Sequence, residues 1–174
     1  MRRLLLLRHA KAVQDSGEGD HARSLTDRGR RDAARMGQAM DTRGYLPDNV
    51  ICSDSRRTIE TWELLLPELA RTPHVEFSKG LYLASPKHIL ALVRDAADDI
   101  RTLMLVGHNP GIEECAVCLA RKPVSKSERH KLDDMREKFP TCALAVLDFD
   151  VESWSDATGS GILLEFVRPR DLTG

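Results

Sequence analysis

The 174-residue sequence has few of the features that mark most function classes. Aromatic residues make up 5% of it, with two Trp, two Tyr and four Phe, too few for a base-stacking surface. Formal net charge is -1, so there is no general attraction to nucleic acid or an acidic membrane, and any anion recognition must be local. The longest early apolar run, Leu4 to Leu7, is far too short for a membrane span or a signal-peptide core. The expected location is therefore the cytoplasm, with neither nucleic acid nor membrane as partner. The four cysteines do not form paired metal knuckles, and Cys115-x-x-Cys118 falls inside an apolar helical pattern, where thiols serve as small core residues. Internal repeats and low-complexity linkers are missing as well.

What is present fits one soluble domain over residues 1–174, with 41% hydrophobic and 30% charged residues. Apolar runs alternate with helical patterns, which predicts an α/β fold. Leu4 to Leu7 reads as a buried central strand, Asn49 to Cys52 as a second and Leu103 to Val106 as a third. His74 to Phe77 reads as a weak strand, and Ala143 to Phe149 and Ile162 to Val167 as two late ones. Thr26, Ser85-Pro86 and Asn109-Pro110 open helices, Gly44 stops the first, and Pro67 bends or ends the second. Residues 121–140 are dense in charge and poor in apolar periodicity. They are expected to form a charged insert: either a solvated helix or loop, or a lid over a site.

Three strand ends share one pattern. Arg8-His9 follows the first strand, Arg56-Arg57 the second, and Gly107-His108-Asn109-Pro110 the third. Ligands of α/β sheets bind where strands end and helices begin, so parallel neighbouring strands would bring these side chains together. Two arginines and two histidines around a helix start form an anion pocket, because the guanidinium fork matches phosphate oxygens and the helix start adds N–H donors. Phosphoryl transfer needs this equipment, being mostly positioning and charge stabilisation.

These residues also carry a resemblance. Arg8-His9-Ala10 resembles the Arg-His-Gly signature of the histidine phosphatase superfamily, and Ser53 to Thr61 is similar to its S-P-x-x-R-x-x-Q-T element, in a register that selects Arg57 over Arg56. Val106 to Pro110 resembles the second-histidine element. The Arg8 to Lys11 opening and Arg23-Ser24-Leu25-Thr26-Asp27-Arg28-Gly29 are similar to the SixA-type phosphohistidine phosphatase branch. The resemblance implies a phosphoglycerate mutase-like three-layer α/β/α sandwich with a mostly parallel sheet. It further implies a catalytic set of His9, Arg8, Arg57 and His108 and a phospho-His9 intermediate, with no cofactor and no metal. Arg23, Lys11 and Asn109 are the candidate substrate-binding residues.

The departures from the pattern are Ala10 for Gly, Asp54 for Pro and Glu60 for Gln. Many superfamily members also carry an acidic proton donor where this chain has Gly80 to Ser85, which holds no carboxylate. An ester alkoxide needs such an acid, whereas a phosphoramidate can lose neutral imidazole. The expected substrate is therefore phosphohistidine on a protein, or a related phosphomonoester. The alternatives are a small-molecule or sugar-phosphate ester phosphatase and a non-catalytic phosphoprotein-binding module. A partner that is a phosphorylated protein or a small phosphorylated metabolite is expected, with the chain a monomer or weak dimer.

Overall fold

The computed structural model describes residues 1–172. Six strands form one sheet in the order β3-β2-β4-β1-β5-β6: β1 (Arg2–Arg8), β2 (Asn49–Ser53), β3 (His74–Ser78), β4 (Thr102–Gly107), β5 (Leu144–Phe149) and β6 (Ile162–Val167). β1 to β4 run parallel, and β5 lies antiparallel to both β1 and β6. Helices α1 (Asp27–Thr42), α2 (Arg56–Leu65), α3 (Pro86–Arg94), α4 (Gly111–Leu119) and α5 (Lys126–Glu137) complete the molecule.

Strand alternation sorts the core into two layers. Leu5 and Leu7 of β1, with Met104 and Val106 of β4, pack against Ala33, Met36 and Met40 of α1 and against Trp62 and Leu65 of α2. Leu4, Leu6, Leu103 and Leu105 face the other way, toward Ile89 and Val93 of α3, Ile112 and Ala116 of α4 and Leu132 and Met135 of α5. The continuous Leu4 to Leu7 run is thus a strand buried on both faces, and the architecture is the expected three-layer α/β/α sandwich.

The punctuation residues act locally as their chemistry requires. Thr26 Oγ1 accepts from the Gly29 N–H at 3.0 Å to start α1, and Ser55 and Ser85 cap α2 and α3 in the same way. α2 ends at Leu65, before Pro67, and tightens into a 3-10 turn over Leu66–Glu68. Within 121–140, Ser125 caps α5, whose Leu132 and Met135 are buried. The charge of this segment therefore lies on one side of an amphipathic helix. Among the described residues, no helix is long and apolar enough to cross a membrane.

The topology creates a crevice. β1 and β4 are neighbours with Arg8 opposite Gly107, yet the helix after β1 covers one face of the sheet and the helix after β4 covers the other. The chain therefore parts between their carboxyl ends, where α/β sheets bind ligands.

Candidate active site

His9 and His108 are the first residues beyond β1 and β4, and pairing continues one step past the strand through His9 N–H to the Gly107 carbonyl at 3.0 Å. Their ring centroids are 5.4 Å apart, and both residues are buried. Arg57 enters from the first turn of α2, 2% exposed, whereas Arg56 lies outside and pairs with Glu60 at 2.9 Å. Arg8 reaches past the sheet end and donates to the Phe139 carbonyl at 2.9 Å. The four residues expected at one pocket thus line a single groove of about 310 Å³, together with Lys11, Arg23 and Asn109.

Hydrogen-bond partners fix both imidazole tautomers. His9 Nδ1 lies 2.7 Å from the Ala10 carbonyl, which only accepts, so Nδ1 carries the proton and Nε2 holds the lone pair. Arg57 only donates, so His108 Nδ1, 3.2 Å from Arg57 Nη2, is an acceptor. The His108 proton is then on Nε2, 2.8 Å from Ser53 Oγ. Burial is the leading cause that pushes both imidazoles down to about 3. For His9, Arg57, Arg8 and Arg23 add to that effect. Desolvation is thus the larger reason for the neutral state of His9, and the arginine neighbours the smaller.

Both ring nitrogens of His108 are engaged, Nδ1 accepting from Arg57 and Nε2 facing Ser53 Oγ. As arranged, it positions the Arg57 guanidinium. The Nε atoms of Arg8 and Arg57 are buried and have no partner among the described residues. Such donors cost roughly 1–3 kcal/mol each and collect where an anion is to be met.

Asn109 lines the groove, but its amide is committed. Nδ2 donates to Glu113 Oε2 and to the Phe139 carbonyl, both at 3.1 Å, and Oδ1 accepts from the Glu113 N–H at 3.2 Å. It builds the wall and anchors α4. Lys11 is exposed at the mouth. Arg23 is held by the Val13 carbonyl at 2.6 Å and by Asp20 at 2.9 Å.

Sequence reasoning missed two groups. Asp20, in the charged loop after β1, receives Arg57 Nη1 on its carbonyl at 2.8 Å and Arg57 Nη2 on its carboxylate at 3.1 Å. Tyr82 donates its hydroxyl to the same carboxylate. Together with Arg23 and Arg57, this bond holds the Asp20 carboxyl well below the usual carboxylate range. Exposed His21 packs edge-on against Tyr82 and lies 2.9 Å from Asp54. No motif in a loop of Gly and mixed charge marks Asp20. Its signal is the distance of three residues to Arg23, which places both in one short turn.

Two close backbone approaches hold the groove walls. A Cβ on Gly29 would sit 2.1 Å from the Lys11 carbonyl, and one on Gly111 would sit 2.1 Å from the Ala84 carbonyl. The first clamps the loop after β1 to α1, and the second clamps the Tyr82 loop to α4. Among the described residues, no three His, Cys, Asp or Glu side chains cluster so as to hold a metal ion.

A buried neutral imidazole aimed into an arginine-lined crevice at a switch point belongs to a phosphoryl-transfer protein of α/β class. Residues 4–81 match the family described as histidine phosphatase superfamily (branch 1). A Mycobacterium tuberculosis protein of uncharacterised function is 32% identical over 167 residues, covering 94% of this chain and 100% of that protein. A Nakamurella multipartitia structure, assigned as a SixA phosphohistidine phosphatase, superposes with TM-score 0.80 at 31% identity, covering 97% of this chain and 96% of the other. An Agrobacterium tumefaciens structure assigned in the same way gives TM-score 0.79 at 27% identity, covering 97% and 98%. The chain belongs to the histidine phosphatase superfamily, in its SixA-type branch, and is a phosphatase.

Proposed function

We propose that this phosphatase hydrolyses phosphohistidine on a protein through a phospho-His9 intermediate. The observation that carries the proposal is the locked tautomer: Nδ1–H bound to the Ala10 carbonyl leaves Nε2 as a lone pair that needs no deprotonation. Nε2 attacks phosphorus as the P–N bond to the substrate imidazole breaks, and that imidazole takes its proton from water. A second water then attacks phosphorus, the Nε2–P bond breaks, and inorganic phosphate leaves. Arg8 and Arg57 hold the equatorial oxygens, with His108 keeping Arg57 in place.

The leaving group separates the candidate substrates. Asp20 is the one carboxylate among the described residues lining the groove, and it is pinned as an anion by Arg57, Arg23 and Tyr82. As placed, it cannot protonate an ester alkoxide. A substrate whose leaving group departs as neutral imidazole suits this site better. A cytoplasmic location is part of the same proposal.

The test is a rate comparison. A phosphohistidine peptide and a panel of sugar phosphates and aryl phosphates are assayed with one enzyme preparation. The proposal expects kcat/KM for the phosphohistidine peptide to exceed that of every alkyl ester. A preference for one sugar phosphate contradicts it and supports the ester-phosphatase reading.

A further inference from the structure

The active-site groove does not end at the active site. At Thr141 it meets a second groove of about 220 Å³ lined by Arg28, Lys138, Arg168 and Arg170. That groove shares Arg28 and Arg170 with a third, of about 500 Å³, between α1 and the C-terminal turn, where Arg31 and Arg35 join them. Six cations thus face four carboxylates, Asp32, Asp134, Glu137 and Asp171, on a chain whose formal net charge is -1.

The carboxylates do not neutralise this track. Buried Asp32 lies 3.7 Å from Arg28 and 3.9 Å from Arg35, and Arg168 is held by Asp134 at 3.3 Å and by Asp171 at 2.9 Å. Arg31, Lys138 and Arg170 are exposed and make no ion pair among the described residues. Arg28, Arg31 and Arg35 stack at three- and four-residue spacing on one face of α1, where like charges repel. Positive charge outnumbers negative on this face, and its unpaired members, Arg31, Lys138 and Arg170, lie beside the site.

We infer that this track docks an acidic segment of the phosphorylated protein while its phosphohistidine enters the crevice at His9. The inference rests on the phosphohistidine reading above and adds the chemistry of the partner. A nucleic acid is disfavoured as occupant because neither groove is lined by an aromatic side chain on which a base could stack. Docking of this kind acts mainly through encounter, so it shows in kcat/KM and in salt dependence.

Three substrates test it: phosphoimidazole, a phosphohistidine peptide followed by a run of Glu, and the same peptide with Gln in place of Glu. The enzymes are the unmodified protein and the double variant R31E/R170E, two exposed positions outside the catalytic groove. At low salt the variant is expected to lose about tenfold in kcat/KM on the Glu peptide, with little change on the other two, and high salt should erase the difference. Equal rates of both enzymes on the Glu peptide, or equal losses on Glu and Gln peptides, overturn the docking inference while leaving the phosphohistidine reading intact. Failure of the unmodified protein to hydrolyse any of the three overturns that reading, and the docking inference with it. An RNA oligonucleotide that competes with the Glu peptide at lower concentration than an unphosphorylated Glu peptide does would also overturn it.

Discussion

Asp20 and Arg57 are joined by two hydrogen bonds, Nη1 to the Asp20 carbonyl at 2.8 Å and Nη2 to its carboxylate at 3.1 Å. The guanidinium fork that would hold a phosphoryl group therefore already holds an anion of the protein. A phosphate dianion arriving at Arg57 and Arg23 must displace that carboxylate or accept it as a like-charged neighbour. Asp20→Asn removes the competing charge and keeps the shape. The variant should bind vanadate about fivefold more tightly, close to 1 kcal/mol, by calorimetry. Unchanged or weaker binding contradicts the competition.

Arg56 and Arg57 are adjacent in sequence and far apart in consequence. Arg57 is buried against His108 and Asp20, while Arg56 pairs with Glu60 at the surface. Arg57→Ala should lower kcat/KM on the order of 100-fold or more, as loss of a preorganised donor does. Arg56→Ala should change it by less than about threefold, as expected of an exposed ion pair. Steady-state kinetics on one phosphoramidate substrate checks both, and comparable losses would put the motif register in error.

The two histidines set a pH signature. Burial lowers both to about 3, so neither imidazole should titrate between pH 5 and 8 in the free protein, which imidazole NMR shifts can follow. The stability consequence has a definite sign. Between about pH 3 and the unfolded value near 6.5, the unfolded chain binds more protons than the native one, so stability falls as pH drops through that window. Denaturant titrations at pH 7 and pH 5 should show the loss, and His108→Gln should reduce it. A midpoint near 6.5 for either ring contradicts the buried neutral pair.

Much of this site was legible before folding. The Leu4 to Leu7 run, followed at once by Arg8-His9, has the pattern of a doubly buried strand ending at a site, and Leu103 to Val106 followed by His108 repeats it. Motif register separated Arg57 from Arg56. Less of the loop chemistry was legible. Asp20 and Tyr82 lie 62 residues apart and meet only because their loops are clamped at Gly29 and Gly111, approaches that no periodicity encodes. The role of His108 also depended on which atom faces Arg57, a matter of rotamer. The segment 121–140 carries a weak apolar stripe because few of its positions, Leu132 and Met135 in the helix and Phe139 after it, meet the core.

The proposed phosphatase mechanism turns on a covalent bond between His9 Nε2 and phosphorus. Brief mixing with a phosphoramidate substrate, an alkaline quench that preserves phosphohistidine, and peptide mass spectrometry test it directly. One phosphoryl group is expected on the peptide containing His9, with neither adduct nor turnover in a folded His9→Ala protein. Turnover by that variant at the unmodified rate, or phosphate carried on another residue, would contradict it.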